Sequence, residues 1–367
     1  MKVCHLTSVH SHLDTRILLK ECNSLAEAGF DVYYIVPGVT NMTLGSVKIL
    51  GVELSDGNRL KRMTRTVKKV YKEALNVDAD IYHFHDPELL PIGLKLKKKG
   101  KKVIYDVHED VPQQILNKSW LPFKSQKFVS KIFAIYEIWA VKQFDLVIAA
   151  TPFINNRFVK QDIKSISVNN YPIIKEFYSK VPIVESRRKS ICYVGGINKY
   201  RGIEEMVKAL ELTEDINLLL AGKFTTKQEK QKVSEYKGWN KVCELGFLNR
   251  QEVNQVYNKS FAGLVVLHPR KNYIDSLPVK MFEYMAAGIP VIASDFPLWR
   301  KIVEENNCGI CVNPVNIVEI AKTIEFLFNN PKVAQEMGEN GIGMIKTKYN
   351  WKIESEKLIQ AYKKLAK

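Results

Sequence analysis

Cysteine is scarce in this chain, with six among 367 residues. That density is too low for a disulfide framework. No hydrophobic run approaches the roughly 20 residues needed to cross a bilayer, and the first residues lack the apolar segment and cleavage site of a secretory signal peptide. We therefore expect a reduced, cytoplasmic protein without a membrane span.

Acidic residues are also few relative to basic ones. Lys and Arg total 55 and Asp and Glu total 39, which gives a net charge of +16 and a pI near 9.3. This excess predicts an anionic partner: nucleic acid, an acidic membrane surface or a phosphorylated substrate. The hydrophobic fraction of 46% is ordinary for globular proteins. The length favours two domains.

Several catalytic motifs are missing. The sequence contains no P-loop, no HExxH and no nucleophile elbow. Cys308 and Cys311 form a CxxC pair, but no second pair or suitably spaced histidines complete a zinc site. Asp78 and Asp80 have the DxD form, but they precede a predicted strand, the wrong end for a ligand. None of these motifs therefore predicts a metal or bound-cofactor site.

What is present is a regular alternation of short apolar strands and helices. One series occupies residues 1–172 and a second occupies 190–349, with a polar linker at 173–189 and a last helix within 350–367. The first helix is predicted over Arg16–Ala28. Because parallel strands need crossover helices, the pattern predicts an α/β fold with two Rossmann-like, doubly wound parallel-sheet domains. A ligand is expected at the carboxyl ends of the strands, in an interdomain cleft.

One acidic residue interrupts an otherwise apolar helix. Glu283 lies in the helix predicted over Pro278–Ala287. A buried carboxylate is costly without hydrogen-bond donors, and ribose hydroxyls are suitable donors. The amino end of the same helix suits a phosphate. The alternative is a solvated helix glutamate.

This segment is similar to the donor-binding signature of retaining glycosyltransferases of family four, which have the GT-B fold and include many bacterial polysaccharide enzymes. Other fragments extend the resemblance over nearly the whole chain. These fragments are Leu6–Ile17, Tyr82–Asp86, Tyr105–Glu109, Tyr193–Gly196 with Arg201 and Gly202, and the tail around Trp351. The resemblance implies that the first domain binds the acceptor and the second a nucleotide-diphosphate sugar, with UDP-sugars favoured.

The resemblance assigns donor-binding roles in the second domain. Glu283 would bind the ribose, and Arg201 and Lys280 would neutralise the diphosphate during catalysis. Surface cations are the alternative for both. The remaining donor residues are Gly195, Gly196, Phe247, Asp275, Ser276, Leu277 and Pro278. Asp275 occupies the position of the family's first glutamate, and the next three residues replace the family's glycine-containing turn.

In the first domain, His108 resembles the catalytic histidine that contacts the donor sugar near the reacting carbon. A structural histidine at a strand end is the alternative. Two more residues, His85 and Asp86, and the loop from His10 to Arg16 are expected to face the acceptor. A cap on the helix beginning at Pro87 is an equally open role for Asp86.

The resemblance also implies a mechanism. Family members need no metal, because the helix dipole, Arg and Lys neutralise the diphosphate. The leaving phosphate accepts the proton of the acceptor hydroxyl, so no general base is assigned. The implied acceptor is a growing, lipid-linked glycan of cell-surface polysaccharide synthesis.

Basic residues are concentrated in the first domain. Residues 57–72 contain seven basic side chains and no acid, residues 95–102 contain six lysines, and residues 118–139 interleave lysines with aromatics. We predict that this face binds the anionic inner surface of the cell membrane, so that the protein is peripherally associated with it. A solvated helix face is one alternative. Others are a soluble transferase acting on a small phosphorylated acceptor and a nucleic-acid-binding protein, which is disfavoured because no nucleic-acid module is recognisable.

Overall fold

The computed structural model describes residues 1–54, 62–116, 122–177 and 189–366. Within these ranges, the side chains of residues 62, 63, 123 and 124 are not described. The predicted linker at 173–189 lies mostly outside the described residues.

The chain divides into two compact units. Unit 1 comprises Met1–Asn170 together with Trp351–Lys367, and unit 2 comprises Tyr171–Asn350. The first division falls two residues before the predicted end of the first domain at residue 172.

The described part of unit 1 contains an eight-stranded sheet in the order β3-β4-β2-β1-β5-β6-β7-β8. All neighbouring strands are parallel except β3 and β4. The strands are β1 (Lys2–Leu6), β2 (Asp31–Pro37), β3 (Met42–Leu44), β4 (Val47–Val52), β5 (Ile81–Phe84), β6 (Lys102–Val107), β7 (Leu146–Ala149) and β8 (Ser165–Ser167).

Helices connect these strands. The α-helices of unit 1 are Asn23–Glu27, Val67–Val77, Leu90–Lys98, Val111–Ile115, Phe123–Val141, Pro152–Val159 and Trp351–Ala366; π-helices span Thr15–Cys22 and Arg62–Thr66, and a 3-10 turn spans Pro87–Leu89. Across both units, no described helix combines the length and apolar character needed to span a membrane.

The described part of unit 2 contains a six-stranded, fully parallel sheet in the order β11-β10-β9-β12-β13-β14. The strands are β9 (Ser190–Val194), β10 (Asn217–Ala221), β11 (Val242–Gly246), β12 (Ala262–Val265), β13 (Val291–Ser294) and β14 (Gly309–Val312). The α-helices are Ile203–Glu211, Lys227–Ser234, Arg250–Asn258, Lys271–Ile274, Val279–Ala286, Pro297–Val303, Ile317–Asn329 and Pro331–Thr347, with 3-10 turns at Ile174–Glu176, Lys199–Arg201 and Lys237–Lys241.

Two doubly wound parallel sheets confirm the predicted fold class. Among the parallel strands of each sheet the strand order reverses direction once, between β1 and β5 in unit 1 and between β9 and β12 in unit 2. Helices leave the carboxyl ends of the two central strands on opposite faces there, which opens a crevice for a ligand. Most of the predicted site residues follow strands at these reversal points, whereas His108 follows β6 and Phe247 follows β11.

The first helix differs from the prediction. Instead of one α-helix over Arg16–Ala28, a π-helix spans Thr15–Cys22 and a short α-helix spans Asn23–Glu27. The amide of Leu19 donates to the carbonyl of Asp14, five residues earlier, at 3.3 Å. The wider turn buries three polar side chains, Arg16, Lys20 and Glu21. Hydrophobic periodicity cannot reveal such a turn, and π-turns are frequent at functional sites.

The last helix, Trp351–Ala366, belongs to unit 1. Trp351 Nε1 donates to Ser24 Oγ at 2.9 Å, and Glu354 accepts from the amide of Asn169 at 2.8 Å. Apolar side chains of this last helix pack inside unit 1, where Leu358 is fully buried. Unit 1 therefore depends on residues from both ends of the chain.

Substitution Leu358→Ala tests this dependence. We expect the free energy of opening of unit 1 strands to fall by about 2–5 kcal/mol, because the substitution leaves a cavity in a packed core. Hydrogen exchange of β1 and β9 amides, measured in the intact chain, separates the units. The exposed Gln360→Ala on the same helix is the control. An equal loss of protection in β9 would contradict the assignment.

Candidate functional site

In unit 2, strand β9 ends at two glycines that lie against two cations. A Cβ atom on Gly195, whose φ is +133°, would be 3.0 Å from Lys280 Nζ. A Cβ atom on Gly196 would be 3.2 Å from Arg201 Nη1. Any larger residue at Gly195 would also adopt a strained backbone. The glycines therefore allow the backbone to approach both cationic groups closely.

Lys280 stands in an unfavourable position for a cation. Its Nζ atom is buried without a hydrogen-bond partner and lies 3.4 Å from the centroid of the Tyr193 ring. Burial and the neighbouring Arg201 guanidinium lower the pKa of Lys280 well below its usual value. The residue also lies in the first turn of helix Val279–Ala286, where the helix dipole is positive. An anion placed beside Nζ would accept its hydrogen bonds, compensate the charges of Lys280 and Arg201, and interact favourably with the helix dipole.

Arg201 is held near Lys280 by a short turn. The side chain of Asn198 accepts from the Arg201 amide at 3.1 Å, and Arg201 Nη1 donates to the Gly196 carbonyl at 3.3 Å. Its Nε atom is buried without a partner. Within the described residues, neither Arg201 nor Lys280 forms an ion pair. Two adjacent cations with unused donors, next to glycines and a helix amino end, suit phosphate oxygens.

Glu283 is buried but already has donors. It is 6% exposed, so the interpretation as a solvated glutamate is wrong. Arg250 Nη1 donates to its Oε1 at 2.5 Å and Tyr257 donates to its Oε2 at 2.8 Å. Arg250 also pairs with Glu176. The sequence argument that burial of Glu283 demands a ligand therefore fails, and its role toward ribose stays a prediction.

The remaining donor-side residues lie in two loops. Asp275 ends helix Lys271–Ile274, and the Ser276 carbonyl accepts from Trp299 Nε1 at 2.7 Å. Leu277 packs on the core, and Pro278 is the N-cap of helix Val279–Ala286. Phe247, after β11, is 76% exposed, which leaves its ring face open for stacking. Its role beside a nucleobase stays a prediction.

In unit 1, a group of histidines meets one carboxylate at the carboxyl ends of β5 and β6. Asp106 Oδ2 contacts His108 Nε2 at 2.8 Å and His85 Nδ1 at 3.1 Å. Asp106 and His108 are two positions apart along β6 and its extension, so both side chains lie on one face of the strand. The structure therefore brings His85 and His108 together as neighbours.

Arg16 does not face an acceptor, which corrects the prediction. It is 4% exposed, its Nε and Nη2 donate to the Asp106 carboxylate at 2.9 and 2.8 Å, and its Nη1 donates to the Val168 carbonyl at 2.9 Å. Burial alone would raise the pKa of Asp106, but Arg16 holds it well below its usual value. Arg16 thus keeps ionised the carboxylate that positions His85 and His108.

His85 is also withdrawn from any acceptor. Its ring is buried, with Nε2 2.9 Å from His5 Nδ1 and Nδ1 directed at Asp106. Burial lowers the pKa of His85 to about 4, so the imidazole is neutral near pH 7. The expectation of an acceptor-facing His85 is therefore wrong.

Asp86 anchors the loop that follows β1. Its Oδ2 accepts from Thr7 Oγ1 at 2.7 Å and from the Ser8 amide at 2.6 Å. It makes no cap hydrogen bond to the turn at Pro87, so the capping interpretation is wrong. Asp86 is itself buried, and it therefore positions the loop rather than facing an acceptor.

Two predicted residues of unit 1 stay partly open. The side chain of His10 is 27% exposed and that of His108 is 19% exposed, and their ring centroids are 5.0 Å apart. Burial opposes protonation of His10, but the hydrogen bond to Asp14 and the charge of Asp86 outweigh it and raise its pKa. These two rings are the predicted groups of unit 1 that a ligand can touch.

Metal-ligating side chains also gather in unit 1. Two groups have ligand atoms within 4.8 Å of one another: the buried set of His5, Glu21, His83 and His85, and the set of His85, Asp106 and His108. The described residues of unit 2 contain no such group.

Comparison with known families accounts for both units. Residues 15–169 match the model "Glycosyltransferase Family 4", and residues 174–344 match "Glycosyl transferases group 1". This chain belongs to the family 4 glycosyltransferases. The family resemblance predicted from its motifs is thereby confirmed.

Relatives and solved structures agree with this glycosyltransferase assignment. Alpha-D-kanosaminyltransferase of Streptomyces kanamyceticus is 27% identical over 183 residues, 48% of this chain and 46% of that protein. Sucrose-phosphate synthase of Thermosynechococcus elongatus superposes with a TM-score of 0.80 at 18% identity, covering 99% of this chain and 98% of the other. Anabaena HepE, solved with UDP and glucose, gives 0.76 at 14% identity, covering 99% and 100%. These neighbours show that the glycosyltransferase has the GT-B fold.

Sequence reasoning missed several residues of the glycosyltransferase site. Arg250 and Tyr257, which hold Glu283, are seven positions apart on one helix, so their shared face was readable. The capping box of Asn249 and Glu252 also marks where that helix begins. Asp106 stood inside a quoted motif, two positions before His108, but no role was assigned to it.

Substitution Asp106→Asn tests the buried ion pair. We expect a loss of about 3–5 kcal/mol in the stability of unit 1, because Arg16 would keep a buried charge without its main partner. Urea denaturation combined with hydrogen exchange of β6 measures the loss. Asp31→Asn is the control, since Asp31 pairs with Lys48 while 44% exposed, and such pairs contribute about 0–1 kcal/mol. Equal effects of the two substitutions would refute the structural role.

Proposed function

We propose that this glycosyltransferase moves a sugar from a nucleotide-diphosphate sugar, with UDP-sugars favoured, to a growing, lipid-linked glycan. The observation that carries the donor assignment is the pair of cations beside Gly195 and Gly196, because Lys280 Nζ and Arg201 Nε are buried without a hydrogen-bond partner. A diphosphate supplies both negative charge and acceptor oxygens at that spot. The solved complex of HepE with UDP and glucose supports a UDP-sugar.

We further propose retention of configuration without a metal at the donor site. The bond from sugar C1 to the diphosphate oxygen breaks, and the acceptor oxygen bonds C1 on the same face. The proton of the acceptor hydroxyl passes to the leaving phosphate oxygen. Lys280 and Arg201 stabilise the charge that develops on that phosphate. Glu283, held by Arg250 and Tyr257, suits ribose binding rather than nucleophilic attack.

The proposed membrane contact is supported by an exposed apolar row on helix Phe123–Val141. Phe128, Ile132, Ile135 and Trp139 are 68%, 50%, 63% and 55% exposed. Their spacings of four, three and four residues place them on one helical face. Phe133 and Tyr136 of the same helix pack on the unit 1 core. A continuous apolar row of this kind is typical of a binding surface.

Basic side chains accompany this row. Lys127 and Lys131 on the same helix are exposed, and Arg65, Lys68 and Lys72 are exposed on other helices of unit 1. Apolar side chains flanked by cations suit an anionic bilayer, where each basic residue contributes about 1 kcal/mol. Several predicted members lie outside the described residues or have undescribed side chains: Arg59, Lys61, Arg62, Lys118, Trp120, Phe123 and Lys124.

A soluble transferase acting on a small phosphorylated acceptor is the second candidate. The similarity in fold to a sucrose-phosphate synthase favours it. The partly exposed His10, whose pKa is raised by the hydrogen bond to Asp14 and the charge of Asp86, would offer such an acceptor an imidazole N–H in unit 1. Membrane binding distinguishes the two candidates.

Substitution Lys280→Met tests the donor assignment. We expect UDP to stabilise the wild-type chain against heat and the variant to bind at least tenfold more weakly. A bound diphosphate raises the lowered pKa of Lys280. At any pH between the Lys280 pKa of the free protein and that of the complex, UDP binding is therefore accompanied by uptake of as much as one proton per site. Affinity therefore falls as pH rises through that window. Calorimetry in buffers of different ionisation enthalpy measures the uptake.

The control for this test is Lys322→Met, an exposed lysine on helix Ile317–Asn329. It should retain both the affinity and the proton uptake of the wild type. Absence of stabilisation by UDP-, GDP- and ADP-sugars alike would overturn the donor assignment. Unchanged UDP affinity in Lys280→Met would do the same for the role of this residue.

Vesicle binding tests the membrane proposal. We expect the wild-type chain to bind vesicles containing phosphatidylglycerol, more weakly as salt increases. Ile135→Ser with Trp139→Ser should reduce partitioning at least tenfold, because both apolar contacts are lost. Phe326→Ser, at an aromatic that is 45% exposed in unit 2, is the matched control. If the wild type does not bind, or the double variant binds equally, the soluble alternative is favoured.

A further inference from the structure

Three imidazoles and one carboxylate converge in the interior of unit 1. His5 lies in β1, His83 in β5, His85 directly after β5, and Glu21 in the π-helix Thr15–Cys22. All four side chains are buried. The register pairs His5 with His83 across β1 and β5, so these two rings are fixed by the sheet itself. The proposed glycosyl transfer uses none of the four directly.

The distances are those of a compact donor set. His5 Nδ1 is 2.9 Å from His85 Nε2, and Glu21 Oε2 is 4.0 Å from His5 Nδ1 and 3.9 Å from His83 Nδ1. One ligand atom from each residue lies within 4.8 Å of all the others. Metal bonds of about 2.0–2.2 Å place neighbouring tetrahedral ligands about 3.3–3.6 Å apart. Small side-chain movements therefore suffice to close the set around one ion.

Glu21 is the observation that calls for a ligand. Both carboxylate oxygens are buried and lack a hydrogen-bond partner, as does His83 Nε2. Arg16 Nε forms an ion pair with Oε1 at 3.1 Å while it donates to Asp106, so Oε2 is the oxygen with neither a hydrogen bond nor a guanidinium beside it. A buried carboxylate oxygen without a donor is costly, and native structures rarely leave one without an ion, water or functional role. This oxygen, Oε2, faces His5 and His83.

The outer contacts are those of metal-binding histidines. His85 presents Nε2 to the cluster while its Nδ1 contacts the carboxylate of Asp106 at 3.1 Å. His5 faces the cluster with Nδ1, while its Nε2 lies 3.4 Å from the Tyr362 hydroxyl. Metal-ligating imidazoles almost always hydrogen-bond a carboxylate, carbonyl or hydroxyl in this way, which fixes the ring and its tautomer.

We propose that His5, Glu21, His83 and His85 bind a divalent transition metal, with Zn²⁺ as the best match. Three neutral imidazoles and a carboxylate are a donor set that suits Zn²⁺. The charges of Glu21 and Asp106 compensate the ion beside Arg16.

The role assigned to this metal is structural. The four ligands are inaccessible to a substrate, and they tie the π-helix to the two central strands of unit 1. The donor-binding cations belong to unit 2. Metal at the cluster is therefore compatible with metal-free handling of the diphosphate, and either proposal can fail alone.

Metal analysis of the full-length chain, purified without a histidine tag, tests the site. After refolding with Zn²⁺ and gel filtration, we expect about one zinc per chain and a higher melting temperature than after refolding with chelator. Glu21→Gln, which keeps the side-chain volume, should reduce bound zinc at least fivefold. His268→Gln, at a histidine of unit 2, should retain it.

Cobalt substitution provides a second readout that does not depend on a variant that folds. Co²⁺ bound to the wild-type chain should give the intense visible absorption of a four-coordinate site, and Zn²⁺ should displace it. Wild-type protein that retains less than a tenth of an equivalent of either metal overturns the proposal. Full zinc retention in Glu21→Gln also overturns it, because the ion would then sit elsewhere, for example on the exposed Cys243. UDP stabilisation, measured in parallel, reports the donor site independently.

Discussion

Parallel strand pairing is the constraint on which the rest of this structure depends. Because parallel neighbours all point the same way, the residues that follow them gather at one edge of the sheet, and the reversal of strand order makes a crevice there. In unit 1 this places His85, Asp86 and His108 beside the loop after β1. In unit 2 it places Gly195 and Gly196 beside helix Val279–Ala286.

The two units handle buried charge differently. Around Asp106, unit 1 compensates its charges internally, since Arg16 pairs with Asp106 and the carboxylate in turn holds two histidines. Unit 2 leaves Lys280 and Arg201 close together without an anion. A satisfied charge network rigidifies a scaffold, whereas an unsatisfied pair of cations stores binding energy for an anionic ligand. This contrast supports the proposal that Lys280 and Arg201 bind an anionic ligand, whereas Arg16 and Asp106 support the structure around them.

The corrections arise where polar side chains turned inward. The His, Asp and Arg residues at the strand ends are predicted to face the acceptor. Instead, Arg16 donates to Asp106, His85 contacts His5 and Asp86 accepts from Thr7, all inside unit 1. Glu283 was expected to need a ligand, yet Arg250 supplies its donor from 33 residues away in sequence. Pattern and propensity carry no information about such partners, because they are distant in the chain.

The sequence by itself determined the strand and helix alternation, the two-domain GT-B architecture and the family, since these follow from hydrophobic periodicity, turn residues and recognisable motifs. It also singled out Gly195, Gly196, Arg201 and Lys280, which the structure brings together after β9. The tertiary structure alone decided which charged groups are satisfied, that a π-helix turns Glu21 into the interior, and that three histidines meet it there. The physical reason is that burial and hydrogen bonding depend on residues brought together only by folding.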